Sequence, residues 1–237
     1  MYNNRILPLR DSHSSELIPP VINYRVDGRR NGKAKINDKE AECIVSLMLA
    51  CWEQTEYADK TFGIISLLGD EQAVYIMNFA YNHDINMQEW NQRQVVVGNA
   101  ASFQGDERDV IFLSMVDDDE SANRSRTQLD WRRRYNVAAS RAKDQLWVVN
   151  SLDYTKLKHG ENLEDEDVRF GLLEYAVNYR EHRARFLEAE VKAESPFEAE
   201  VAKYLLAKGY HIQQQYEAGP YRIDIVVSYE NKQIAIE

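Results

Sequence analysis

Apolar residues fall in blocks along this chain, and the spacing inside a block changes from one block to the next. "TFGIISLL" (61–68), "RQVVVGNA" (93–100), "DVIFLSMV" (109–116) and "QLWVV" (145–149) are short runs with little polar alternation. Such runs predict strands buried on both faces. "VINYRVDG" (21–28) alternates instead, and predicts a strand that stops at Gly28. Between the runs the apolar spacing becomes helical. In "NDKEAECIVSLMLACWEQ" the residues Ile44, Met48, Cys51 and Trp52 form one stripe. Asn37 is placed to cap that helix, and Glu40 three residues later completes a capping box. "GDEQAVYIMNFAYN" (69–82) predicts a helix opening on Asp70 and Glu71, and a further helix is predicted near 130–142. Apolar strands separated by helices predict an α/β fold: a parallel sheet with helices on both faces. Ligands of such sheets sit at the carboxyl ends of strands, near strand-to-helix turns.

The remaining segments divide the chain. Proline occurs at 8, 19, 20, 196 and 220, so nothing from 21 to 195 is punctuated by it. The first twenty residues read as an extended lead-in ending at Pro19-Pro20. The acidic run "ENLEDEDVR" (161–169) reads as a solvated loop, and "GLLEYAVNYREHRARFLEAEVKAE" (171–194) as one charged helix. A new unit opens at Ser195-Pro196. The expected organisation is a sheet domain over 1–152, a helical linker over 153–193 and a further α/β unit over 194–237.

Charge narrows the function classes. The 29 basic and 39 acidic side chains give a net charge of -10, which argues against coating nucleic acid by bulk electrostatics. A local basic groove remains open: Arg124, Arg126, Arg132, Arg133, Arg134 and Arg141 stand in 124–141 against the single acid Asp130. No apolar run is long enough to cross a membrane, and the N-terminus lacks the apolar core of a signal peptide, so a soluble cytoplasmic protein is expected. Cys43 and Cys51 share one apolar helical face without a nearby histidine, which favours buried thiols over a metal pair. "VDDDE" (116–120) follows a strand as a metal site would.

Two stretches carry the chemistry. "SFQGDERDVIFLSMV" joins a polar turn to a buried strand, and "RRRYNVAASRAK" is an arginine-rich helix feeding the next strand. Together with "GIIS" they resemble motifs IV, V and VI of superfamily 1 helicases, the branch typified by nonsense-mediated-decay and Dna-two-type enzymes. "PLRD", "NDKEA" and "GIISLLGDEQA" are similar to the lead-in of the second RecA-like domain in that branch. The resemblance covers roughly residues 1–150, and it implies a variable loop rather than a metal site at "VDDDE". It implies that the two stretches meet at an ATP site completed by a first RecA-like domain, and that nucleic acid, DNA before RNA, is the partner. On it, Arg141 matches the arginine finger, with Arg134 behind it. Glu107 matches the acid that binds the nucleotide sugar, Gly105 lets the backbone approach, and Gln72 lies near the nucleotide. Ser102 and Gln104 couple the loop to the nucleic-acid backbone. A cation from this lobe would meet charge developing on the γ-phosphate, with Mg²⁺ bound alongside. No G-x-x-x-x-G-K-[ST] occurs in the sequence, so the resemblance implies half of an ATP site.

The tail "SPFEAEVAKYLLAKGYHIQQQYEAGPYRIDIVVSYENKQIAIE" (195–237) resembles the start of a PD-(D/E)XK nuclease domain of the very-short-patch-repair type. That resemblance implies catalytic Mg²⁺ or Mn²⁺ ligands at Glu198, Asp224 and Glu237, with Gln215 opening the hairpin. It also implies a longer domain than the tail contains, and a protein cut at both ends. A surface hairpin in which Asp224 pairs with Arg222 or solvent is the plainer alternative. The resemblances imply an ATP-dependent helicase piece joined to a nuclease-like unit. Their rivals are a non-catalytic nucleic-acid- or partner-binding remnant, and a metal-dependent endonuclease with a RecA-like scaffold.

Overall fold

The computed structural model describes residues 17–83, 85–160, 165–207, 210–218, 221–229 and 232–236. Residues 1–16, with "PLRD", and Glu237 lie outside that set, as does part of the acidic run. The chain divides into two compact units between Val177 and Asn178.

The first unit is built in the order β1 (Val21–Arg25), β2 (Arg30–Asn31), β3 (Ile36–Asn37), α1 (Asp38–Trp52), β4 (Phe62–Ser66), α2 (Asp70–Asn82), α3 (Met87–Gln92), β5 (Val96–Asn99), β6 (Arg108–Asp118), α4 (Leu129–Ala139), β7 (Ala142–Ser151) and α5 (Val168–Val177). Five strands form one sheet in the order β1-β7-β6-β4-β5, every neighbouring pair parallel. The expected α/β architecture is what forms. Successive side chains of a strand point to opposite faces. Ile64 and Phe112 therefore pack with Ile44, Met48, Ile76 and Trp90 of α1, α2 and α3 on one face. Ile65, Ile111, Leu113 and Val148 pack with Tyr135 and Ala138 of α4 and Leu173 and Ala176 of α5 on the other. Each large apolar side chain buried this way contributes about 1.5–3 kcal/mol.

Three details differ from the sequence pattern. The run 171–194 is two helices, because Asn178 (φ −99°, ψ 20°) leaves helical geometry after α5 has packed on the sheet unit. A short helix, α3, forms where none was predicted, its N-terminus capped by Asn86, whose side chain accepts from Gln88 N and Glu89 N. β7 runs from 142 to 151, longer than the apolar run at its centre, because parallel pairing with β6 carries it to Ser151 opposite Asp118.

β5 and β6 are separated in the sheet by β4, so residues 100–107 must cross back over β4, and they do so without a helix. Phe103, fully buried, plugs this crossing onto the sheet. Gly63 makes room for it: a Cβ there would meet Phe103 Cε1 at 2.8 Å.

Near its end β6 is bulged. Its register with β7 shifts between Ser114 and Asp118, and Val116 adopts φ 67°. A β-branched residue in the left-handed region persists only where its surroundings over-determine it. Here Val116 N donates to Glu40 Oε2 (2.8 Å), and Val116 O accepts from Asn37 Nδ2 (3.3 Å). The head of α1 thus clamps the bulge.

The second unit contains α6 (Tyr179–Lys192), α7 (Pro196–Ala207), β8 (His211–Ala218), β9 (Tyr221–Tyr229) and β10 (Lys232–Ile236). The strands form an antiparallel sheet in the order β10-β9-β8. Ala202 of α7 packs with Ile225 and Val227 of β9 as its small core. No helix among the described residues is long and apolar enough to cross a membrane.

Candidate functional site

The turn after β5 is organised by Asn99. Its Oδ1 accepts from Ala101 N (2.7 Å) and Ser102 N (3.0 Å), and its Nδ2 donates to Asp70 at the head of α2. An asparagine at a strand end favours such a turn, so "VVVGNA" itself carries the signal. Ser102, expected to meet nucleic acid, is exposed, with its hydroxyl donated to Asn99 O (2.8 Å). Gly105 closes the turn at φ 85°, the left-handed region that glycine enters freely, with open space where a Cβ would stand.

The turn and the arginine helix do face each other. Gln104 and Ala101 on one side and Arg133, Arg134 and Val137 of α4 on the other line a cleft of about 580 Å³. Its floor includes Ser66 and Asn99, the carboxyl ends of β4 and β5. Arg134 is exposed, donates from Nη1 to Leu67 O (3.3 Å), and lies 4.6 Å over the Trp131 ring. Gln72 is not on this cleft. It is fully buried, with Oε1 accepting from Asn37 N (2.8 Å) and Nε2 donating to Asn37 O (2.9 Å) and Ser114 Oγ (3.0 Å). Its amide is spent joining α2 to the start of α1 and to β6.

Glu107 and Arg141 form a separate group where β6 and β7 begin. Arg108 N donates to Arg141 O (3.1 Å), which fixes the two segments side by side. The Arg141 guanidinium rests on neutral acceptors, Val137 O (3.1 Å) and Ser140 Oγ (2.9 Å). Glu107 is exposed, and among the described residues neither its carboxylate nor the Arg141 guanidinium has an ion-pair partner. The neighbouring Asp106 is instead paired with Arg108.

Two polar networks underlie the carboxyl ends of the strands. In the first, Glu40 is fully buried and accepts from Ser114 Oγ (2.7 Å), Val116 N (2.8 Å), Ser151 Oγ (3.1 Å) and Asn37 Nδ2 (3.2 Å). Burial pushes its carboxyl up to about 8, against the opposing pull of those hydrogen bonds. The capping box is thus half made: Asn37 Oδ1 accepts from Glu40 N (3.2 Å), but Asn37 N is taken by Gln72. In the second, Asp117 is fully buried and accepts from Arg30 Nη1 (3.1 Å), Arg169 Nη1 (2.8 Å) and Arg126 Nη2. Arg169 also forks onto Asp167 through Nε (3.0 Å) and Nη2 (2.7 Å). The Arg169 guanidinium, with the backbone N–H groups of Arg169 and Arg126, holds the Asp167 carboxyl below the usual range despite its burial. The "VDDDE" acids are therefore engaged by protein groups, Asp118 by Arg30 N (2.8 Å) and Asp119 by Lys156 (2.7 Å).

In the second unit Glu198 stands in the first turn of α7, in a box with Ser195: Glu198 N donates to Ser195 Oγ (3.2 Å), which donates to Glu198 Oε1 (2.9 Å). Glu198 Oε2 accepts from Glu194 N (2.9 Å) and from Gln215 Nε2 (3.3 Å). Gln215 adopts φ 54°, and the β8–β9 pairing skips it between Gln214↔Ile225 and Tyr216↔Ile223, opposite Asp224. Arg222 pairs with Glu194 (2.9 Å). Among the described residues no three His, Cys, Asp or Glu side chains gather as a metal site. The third expected ligand, Glu237, lies outside them.

Compared with known proteins, residues 8–153 match the family model described as an AAA domain. A search of curated proteins finds no match.

Proposed function

Because this chain belongs to the AAA-domain family, the family of the superfamily 1 helicase C-terminal domain, we propose that its first unit is one wall of a nucleic-acid-dependent ATPase site. The observation that carries this reading is the placement of Glu107 and Arg141 on adjacent segments. Those segments are hydrogen-bonded together, yet among the described residues both charges are left without an ionic partner. Arg141 is the finger. Its present partners are neutral acceptors, weaker than an anionic phosphate oxygen, so the guanidinium is easily drawn to charge developing on a γ-phosphate. Glu107 takes the sugar hydroxyls, and Gly105 lets the backbone come close. Gln104, with Arg133 and Arg134 across the cleft, meets phosphates of the nucleic-acid strand. Ser102 and Asn99 hold that turn in shape, while Gln72 ties α2 to the start of α1 and to β6 in the interior. The nucleotide, bound with Mg²⁺, brings the phosphate anhydride to be cleaved, and the phosphate-binding loop comes from a separate RecA-like lobe.

The test is ATP hydrolysis with and without nucleic acid. This chain alone should hydrolyse nothing above background. Assembled with a lobe bearing the phosphate-binding loop, it should turn over. There Arg141→Ala should lower the rate by about 10³-fold or more with a smaller change in nucleotide affinity. Arg141→Lys should fail as well, since a point charge does not reproduce the fork. Equal turnover in wild type and Arg141→Ala overturns the assignment, and no turnover in any assembly leaves a nucleic-acid-binding remnant.

A second reading concerns residues 195–237 as the opening of a nuclease-like domain. The Glu198–Gln215 contact and the placement of Gln215 opposite Asp224 favour it. With Glu237, these acids would hold Mg²⁺ or Mn²⁺, which activates water for phosphodiester cleavage. A chain extended beyond Glu237 should cleave plasmid DNA with either metal and lose that activity in Asp224→Asn. Activity surviving Asp224→Asn sinks the reading.

A further inference from the structure

A second concave site lies beyond the bulge of β6, away from the groups assigned to nucleotide. It is a pocket of about 460 Å³ lined by Arg30, Arg124, Arg126 and Arg169, with Trp131 as one wall and no carboxylate among its lining residues. For a chain with a net charge of -10 this is a strong local reversal of sign. Asp117 and Asp167, which bond three of these guanidiniums, and Asp118, which accepts from Arg30 N (2.8 Å), offset three of the four positive charges.

Donors are left over as well as charge. The Arg126 side chain is 9% exposed, yet among the described residues its Nη1 has no hydrogen-bond partner. Arg30 Nε is likewise buried without one among those residues. Buried donors are nearly always paired, and those that are not call for an explanation. Arg126 cannot swing away to find water, because Asp117 grips its Nη2 and its Cζ lies 4.0 Å over the Trp131 ring. Arg169 is 1% exposed and fixed to two carboxylates. Arg124 is exposed at the mouth, and its carbonyl accepts from Arg169 Nη2 (2.7 Å).

We propose that this pocket is a phosphate-binding site. Guanidinium donors converging from several directions suit a tetrahedral oxyanion, and a phosphate would neutralise the surplus. The site is independent of the nucleotide reading, since neither Glu107 nor Arg141 belongs to it. It is linked to the first cleft through Trp131, which has Arg126 over it at 4.0 Å and Arg134 at 4.6 Å. The phosphate has two possible sources, free inorganic phosphate and the backbone of a nucleic-acid strand.

The experiment titrates the whole chain with inorganic phosphate at constant ionic strength, by calorimetry and by thermal midpoint. A labelled single-stranded oligonucleotide is titrated in parallel by anisotropy. Arg124→Glu is the decisive variant, because that side chain is exposed and makes no buried contact to lose. Arg126→Gln is the second, read for binding only where its unfolding transition remains cooperative. Arg180→Glu, an exposed change in the second unit, controls for net charge. The expected result is saturable binding that Arg124→Glu weakens by about tenfold or more and Arg180→Glu leaves in place. Weakening in the phosphate arm alone identifies a free phosphate, and weakening in the oligonucleotide arm identifies a backbone phosphate. Absence of saturable binding in both arms, or binding indifferent to Arg124→Glu, overturns the proposal.

Discussion

Replacing Glu40 by Gln should change how stability depends on pH, and the size of the change follows from the burial of that carboxyl. Glu40 is moved from 4.5 to about 8 because burial disfavours its charge more than its hydrogen bonds favour it. Its folded value lies above its unfolded one, so between the two the native state holds a proton that the unfolded chain has released. Stability from this group is complete below about pH 4.5 and is lost as pH rises to about 8. At about 1.4 kcal/mol per pH unit the whole window is worth about 5 kcal/mol, of which about 2 kcal/mol falls between pH 6 and 8. Gln can occupy the site one way round, with its oxygen towards Val116 N and Ser114 Oγ and its amide towards Ser151 Oγ; it forfeits the bond from Asn37 Nδ2. Urea unfolding at pH 6, 7 and 8 should show wild type losing about 2 kcal/mol more than Glu40→Gln across the series. Burial also pushes Glu166 up, with the same sign, but it is present in both proteins and cancels in the difference. Asp109, Asp118 and Asp167 are held low, so their contributions change only in acid. Equal slopes for the two proteins from pH 6 to 8 would refute the argument.

Arg169→Met should destabilise the first unit by about 3–5 kcal/mol, because two buried carboxylates lose their shared cation; adding Asp167→Asn should recover part of that loss in urea unfolding. A chain ended after Leu152, where the family match is nearly complete, loses Arg169, Leu173 and Ala176 from the sheet unit. It should show no cooperative thermal transition, whereas one ended after Val177 should retain it; equal transitions would place α5 outside the folding unit.

The sheet was readable because its strands are apolar runs of strand length, and α1 because Asn37, Glu40 and the Ile44–Met48 stripe agree with each other. The meeting of the 101–107 turn with α4 followed from ordered motifs. The separation of Gln104 from Glu107 and Arg141 was not readable, since it depends on where residues 100–107 cross β4. Gln72 looked like a polar helix residue near a ligand, but its side chain satisfies both the N–H and C=O of Asn37, a tertiary pairing no local pattern encodes. Arg169 ends an acidic run that reads as solvent-facing, yet it is among the largest fully buried side chains. What brings it inside is Asp117, re-aimed by a left-handed Val116 that sequence gives no reason to expect. Asn86 with Glu89 three residues on was a legible start signal for α3 that the weak apolar pattern around it obscured.

The Asp117 centre also constrains how such a sequence can change over generations. Its three guanidiniums come from three distant stretches, at 30, 126 and 169, so no single nucleotide change can remove the centre cleanly. Loss of the aspartate leaves three arginines confronting one another; loss of Arg169 strands Asp167 and takes one of three cations from Asp117. Intermediates along any such path are less stable than either endpoint, so the members of this cluster are expected to be inherited, or abandoned, as a set. Descendants that keep Asp117 should be found keeping Arg126 and Arg169 with it, even where the loop from 119 to 125 has diverged beyond alignment.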